Sequence, residues 1–188
     1  ALFNEPNAGF SGGAGTTIED LGKSKGLDWG RYDKNYGWWH GIFLEKSKSL
    51  KDKYDWFMIV RNPYDRILSE YYCKWGGKGK EENFTKEEFN KFLINNINNR
   101  CIRGHHYTEQ YKYLDKNYVI KILKYENLEN EFNDLMKMYN INLKLDKHSN
   151  KCENKKFNVS EFSLDLVKLI NKVYYKDFKE FGYNMKIV

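Results

Sequence analysis

The 188 residues include 40% hydrophobic and 17% aromatic side chains, with 15 Tyr, 12 Phe and 5 Trp, which is enough to close one core of ordinary size and excludes a disordered chain. A formal net charge of +6 favours anionic partners such as phosphates, sulfated sugars, nucleic acid or acidic membranes, and no run of about 18 apolar residues exists to cross a bilayer as a helix. Cys73, Cys101 and Cys152 are too few and too scattered for a disulfide framework, and without a C-x-x-C pair they predict free thiols and no structural metal.

Ala1 to Asn4 reads as the remnant of a first strand, followed by a glycine-rich turn from Asn7 to Gly15. Thr16 or Thr17 then starts a short helix, because a Thr oxygen can cap the open amides and Glu19 and Asp20 fall at the positive helix end. From Gly26 to Gly41 the chain carries Trp29, Tyr32, Tyr36, Trp38 and Trp39 with neither a helical nor a strand period, so a long loop ending near His40 is predicted.

Asp55 to Val60 is a nearly continuous apolar run, the pattern of a central strand buried on both faces. Asn62 and Pro63 supply an N-cap and a first helical residue, predicting a helix to about Trp75 that the Gly76 to Lys80 segment breaks. Thr85 opens another helix with Phe89, Phe92, Leu93 and Ile97 at helical spacing, and a third is expected from His106 to Leu114. Tyr118 to Leu123 reads as a second strand, and Glu126 to Tyr139 as a helix with Leu128, Phe132, Leu135 and Met136 inward. After a lysine-bearing loop over residues 144–159, Ser160 is predicted to cap a final helix with Phe162, Leu166, Ile170 and Val173 on one stripe, ended by Gly182. Strands followed directly by helices imply an α/β fold with a parallel sheet that binds ligands at the carboxyl ends of its strands, and residues 1–188 read as one domain.

The block from Val60 to Tyr71 is the strongest local signal. Arg61 ends a strand beside the open amides of the next helix, so a fixed cation and a positive dipole end converge where an anion can bind. Arg66 and Ser69 share a helix face. The plainer alternative is that Arg66 pairs with Glu70 on a solvated face while Arg61 only closes a strand.

This block resembles the R-N-P-x-x-R-x-x-S-x-Y motif of the membrane-type carbohydrate sulfotransferases and their bacterial and viral relatives. His106 to Leu114 is similar to that family's H-x-x-x-Q-x-x-Y-L, Tyr125-Glu126-Asn127-Leu128 to its Y-E-N-L, and Tyr174 to Tyr183 to its Y-x-x-D-F-x-x-F-G-Y. The resemblance implies a P-loop-like three-layer α/β/α fold with a central, mainly parallel sheet. It also implies transfer of a sulfuryl group from 3′-phosphoadenosine 5′-phosphosulfate to a hydroxyl of a carbohydrate, with 3′,5′-diphosphoadenosine as product and no metal. Arg61 and Ser69 then become the ligands of the 3′-phosphate.

The family's opening loop, P-K-x-x-G-T-S or P-K-N-A-G-T-T, is matched at its end by Ala14-Gly15-Thr16-Thr17 and at its beginning by Pro6-Asn7-Ala8-Gly9, with no Lys before Lys23. By resemblance Gly13, Ala14, Gly15, Thr16 and Thr17 would cradle the 5′-phosphosulfate through backbone amides and hydroxyls. The missing Lys removes a transition-state contact worth roughly 3–4 kcal/mol, for which Lys23, Lys25 or a lysine of the 144–159 loop could substitute.

For the base that activates the acceptor the resemblance offers His40 and Glu19, with His40 slightly preferred. Each also has a structural reading, His40 as a packed residue among aromatics and Glu19 as a charge favouring a helix start. His106 and Gln110 are expected on one helical face, either lining the acceptor cleft or forming a satisfied polar pair. Trp29, Trp38 and Trp39 offer flat faces to a sugar or an adenine.

Two other classes stay in view. One is a noncatalytic nucleotide-binding module with a degenerate 5′-phosphosulfate loop. The other is a P-loop kinase or NTPase, disfavoured because no G-x-x-x-x-G-K-[ST] occurs. Nucleic-acid binding by the basic, aromatic-rich surface is a weaker third option and nucleic acid is not an expected partner, since the basic charges are dispersed and no recognition motif is present. A chain starting at Ala1 is compatible with a removed leader or anchor, so the expected compartment is the cytoplasm, or the Golgi lumen if an anchor preceded it.

Overall fold

The computed structural model describes residues 48–52, 55–73, 83–100, 106–145, 152 and 155–188. The expected first strand, glycine-rich turn, first helix and aromatic loop lie outside these residues, and with them Gly13, Ala14, Gly15, Thr16, Thr17, Glu19 and His40.

A single-turn helix α1 (Lys48–Lys51) precedes strand β1 (Trp56–Val60), which the apolar run locates to within a residue. Strand β2 (Val119–Lys124) pairs with it in parallel, Phe57 opposite Lys121 and Val60 opposite Lys124. Parallel neighbours need a long crossover, and here it carries α2 (Pro63–Tyr71), α3 (Lys86–Asn98) and a 3-10 turn at Gln110–Tyr113. The described residues are thus a mixed α/β arrangement with a two-stranded parallel sheet.

The local chemistry of the helix starts agrees with the sequence. Asn62 Oδ1 accepts from Tyr64 N at 3.0 Å, and Pro63 occupies the first helical position, where a missing N–H is harmless. Thr85 and Glu88 form a reciprocal capping box at the start of α3.

Helix α4 (Leu128–Met138) follows a 3-10 turn at Tyr125–Asn127 and lays Phe132, Leu135 and Met136 against Leu123 and Phe57. Phe57 meets Phe132 edge-on at 6.4 Å. Because α4 packs chiefly over β2, Ile59 on β1 stays 46% exposed. The expectation of a strand buried on both faces is corrected accordingly, and Ile120 of β2 is likewise half exposed.

The larger core is helical. Tyr71, Phe89 and Phe157 meet at its centre, with Phe89 stacked on Phe157 at 4.4 Å and edge-on to Tyr71 at 4.7 Å. Around them α5 (Leu164–Val173) contributes Leu166 and Ile170, and α6 (Tyr175–Phe181) contributes Phe178. Each such buried apolar side chain contributes about 1.5–3 kcal/mol relative to exposure. Buried Asn90 ties α3 to this region, donating to Glu161 O at 2.9 Å and accepting from Ser163 N at 2.7 Å.

Three sequence expectations are corrected. Helix α2 ends at Tyr71 rather than Trp75. The last helix is capped by Ser163, whose Oγ accepts from Leu166 N at 3.2 Å, because Asn158 and Glu161 draw Ser160 into their own capped 3-10 turn. That last helix also breaks at Tyr174 into α5 and α6 before Gly182 ends it in the left-handed conformation at φ 65°.

The expected helix from His106 to Leu114 shrinks to the single 3-10 turn, for a traceable reason. In a helix Gln110 N would donate to His106 O and Tyr111 N to Tyr107 O. Instead His106 O accepts from Arg66 Nη2 and Tyr107 O from the Tyr174 hydroxyl, at 2.8 and 2.7 Å. Both amides turn to the carboxylate of Asp177, at 2.8 Å each. Tertiary partners thus take both ends of two successive helical bonds.

Candidate functional site

The register that sets Val60 opposite Lys124 brings Arg61 and Tyr125 side by side just past the carboxyl ends of the two strands. The Arg61 guanidinium lies over the Tyr125 ring, 4.3 Å from its centroid, an arrangement that holds a cation flat without neutralising it. Among the described residues Arg61 forms no ion pair.

Side chains from distant segments secure the backbone at this point. Arg61 N donates to Gln110 Oε1 at 2.9 Å and Gln110 Nε2 donates to Arg61 O at 2.8 Å. Asn62 N donates to Glu126 Oε1 at 2.7 Å, and the Tyr183 hydroxyl donates to Glu126 Oε2 at 2.8 Å while lying 3.4 Å from Val60 O. Burial, reinforced by the carboxylate of Glu126, pushes the Tyr183 phenol above its ordinary range, so it remains a donor.

These bonds revise how an anion could be held. The sequence suggests that amides at the start of α2 stand open beside Arg61. In the structure Arg61 N, Asn62 N and Tyr64 N are taken by Gln110, Glu126 and Asn62 Oδ1, and Pro63 has no N–H to give. Of the amides at this helix start Asp65 N is the one for which no bond has been described, so an anion would meet chiefly the guanidinium and side-chain donors.

Ser69 lies on α2, half-buried, and its hydroxyl has no partner among the described residues. Arg66 is engaged with His106 O and does not pair with Glu70, as the plainer reading of the motif had it. Glu70 is bonded to His106, whose Nδ1 stands 3.0 Å from Glu70 Oε2. That hydrogen bond raises the imidazole above its ordinary value, with burial opposing it.

His106 and Gln110 therefore do not share a helical face. His106 is partly exposed beside α2, whereas Gln110 is buried with both side-chain polar atoms bonded to Arg61. Of the two, His106 has access to solvent and Gln110 orders the backbone.

Among the described residues Glu70, Cys73 and His106 are the set whose ligand atoms, all within 4.8 Å of one another, could hold a metal ion. The direct Glu70–His106 contact already satisfies two of the three. Neither Cys73 nor Cys152 is in a disulfide, and Cys101 lies outside the described residues.

The sequence places Tyr125, Glu126, Asp177 and Tyr183 in motifs similar to the family's but gives them no role at the site. A usable signal existed for two of them: Tyr125 and Glu126 follow the end of β2 as Arg61 and Asn62 follow the end of β1. For Asp177 and Tyr183 the motif marks the residues but not their partners, which lie more than sixty and more than fifty residues away.

A family model described as "Sulfotransferase family" matches residues 28–184 of the chain. No curated protein and no solved structure matches it.

Proposed function

This chain belongs to the sulfotransferase family, and from that premise we propose that it moves a sulfuryl group from 3′-phosphoadenosine 5′-phosphosulfate to a hydroxyl of a carbohydrate. A three-layer α/β/α domain of P-loop-like build, extending over residues 1–188, is part of the same reading. The observation that carries it is Arg61: a guanidinium at the carboxyl edge of a parallel sheet, stacked on Tyr125, without a carboxylate partner among the described residues. A cation so placed suits a phosphate.

In this reading Arg61 and the Ser69 hydroxyl hold the 3′-phosphate, and the amides and hydroxyls of Gly13, Ala14, Gly15, Thr16 and Thr17 receive the 5′ end. The donor, when bound, supplies the activated sulfuryl group. His40 or Glu19 takes the proton from the acceptor hydroxyl, and His106, accessible to solvent, lines the acceptor side. Gln110 belongs to the support of Arg61.

The experiment is a thermal shift with 3′,5′-diphosphoadenosine. Ligand at a hundred times Kd adds about 2.7 kcal/mol, which raises Tm by roughly 5–10 °C in a domain of this size. Arg61→Ala should remove that rise. An equal shift in both proteins would refute the site.

A second reading rests on the sequence itself: no Lys precedes Lys23 in the loop that would receive the 5′-phosphosulfate. A noncatalytic nucleotide-binding module would give the same thermal shift and transfer no sulfate. Labelled-sulfate transfer to glycan acceptors, measured beside binding, separates the two.

A further inference from the structure

We propose that Gln110 and Asp177 are positioning residues that make this site selective for nucleotides bearing a 3′-phosphate, an inference that rests on the reading of Arg61 as the ligand of that group. The chain of contacts starts at Asp177, which is 0% exposed and forms no ion pair among the described residues. Burial pushes this carboxyl above its ordinary range, opposed by hydrogen bonds to Tyr111 and Gln110 and by the charge of Arg66, and a carboxylate so buried depends on such bonds to compensate for lost hydration. Here each oxygen accepts one backbone N–H, from Gln110 and Tyr111, at 2.8 Å. Those two bonds keep residue 110 from continuing an α-helix and fix the origin of its side chain.

From that origin the Gln110 carboxamide gives Arg61 one acceptor and one donor, at 2.9 and 2.8 Å. The pairing copies what a neighbouring strand would supply, continued one residue beyond the end of β1. The direction in which the Arg61 side chain leaves the backbone is thereby set, and Tyr125 orients its far end. An arginine side chain otherwise has rotamer entropy to lose on binding. Restraining it beforehand strengthens binding of a phosphate there and of no other part of the nucleotide.

The test compares 3′,5′-diphosphoadenosine with adenosine 5′-monophosphate, which lacks the 3′-phosphate, by titration calorimetry. Gln110→Ala should weaken the first by about tenfold or more and leave the second unchanged, the unchanged ligand serving as the check that the fold survives. Gln110→Glu, nearly isosteric, keeps the acceptor for Arg61 N but turns an acceptor toward Arg61 O, and should lose the preference as well. In an Arg61→Ala background neither change should weaken binding further, a non-additivity that general destabilisation does not produce.

Four results would overturn the inference. If the preference for 3′,5′-diphosphoadenosine is lost in Arg61→Ala but survives both Gln110 variants, the positioning role fails while the site stands. An equal loss for both ligands, or one that repeats in the Arg61→Ala background, shows only a structural effect. Absence of any preference in the wild-type protein rejects the site and the inference together.

Discussion

Arg66, Glu70 and His106 share their polar atoms so that one contact governs how this region responds to pH. Arg66 takes the backbone carbonyl of His106, and Glu70 takes its ring. Glu70 raises the imidazole above the ordinary 6.5, so the folded state holds the proton more tightly than the unfolded chain does. The resulting stability is fully present below that ordinary value and is lost as pH rises through the raised folded value. Glu70→Gln keeps the shape and removes the charge. Its Tm should fall below that of the wild type at about pH 5.5 and approach it at about pH 8.5, on either side of the imidazole range. A Tm difference independent of pH would show that the pair carries no titratable energy. At this scale the sequence is informative where chemistry is local. The R-N-P block marks Arg61 through its place after an apolar run, but the partner of Glu70 is a residue 36 positions away, which spacing on one helix cannot reveal.

Elements were legible to the degree that their ends are decided nearby. Asn62-Pro63 and Thr85 with Glu88 fix the starts of α2 and α3 within a few residues, and both stand where the sequence puts them. The expected helix from His106 was lost because its hydrogen bonds are claimed by Arg66, Tyr174 and Asp177, all from other elements. The final helix shows a local competition instead. Two serines stand three residues apart, and only Ser163 caps α5, while Ser160 sits inside a turn closed by Asn158 and Glu161. Ser163→Ala should therefore lower stability by about 1 kcal/mol, whereas Ser160→Ala should stay within about 0.5 kcal/mol. Chemical denaturation of the two variants decides it, and the reverse order would restore the start read from the sequence.

At the scale of the whole molecule the candidate site is a covalent bridge between two cores. β1 delivers Phe57 to the small cluster under α4, α2 delivers Ile67 and Tyr71 to the large aromatic one, and Val60-Arg61-Asn62 is the chain that joins them. A joint of this kind would move whenever the cores shifted, were it not bonded on its own account to Gln110, Glu126 and Tyr183. The helical stripes and the apolar runs show which residues form the cores, but not how Phe157 and Phe89 stack, since 68 residues separate them. Phe89 gives the means to test whether the joint is insulated. It is fully buried, with its ring against Tyr71, Phe157 and Phe162. Phe89→Ala should cost about 3–5 kcal/mol and lower Tm by roughly 6–20 °C. Below the new transition the ratio of affinities for 3′,5′-diphosphoadenosine and adenosine 5′-monophosphate should stay at the wild-type value. If that ratio falls together with Tm, the aromatic core itself holds the guanidinium in place, and the side-chain bonds to residues 60–62 are too weak to do so alone.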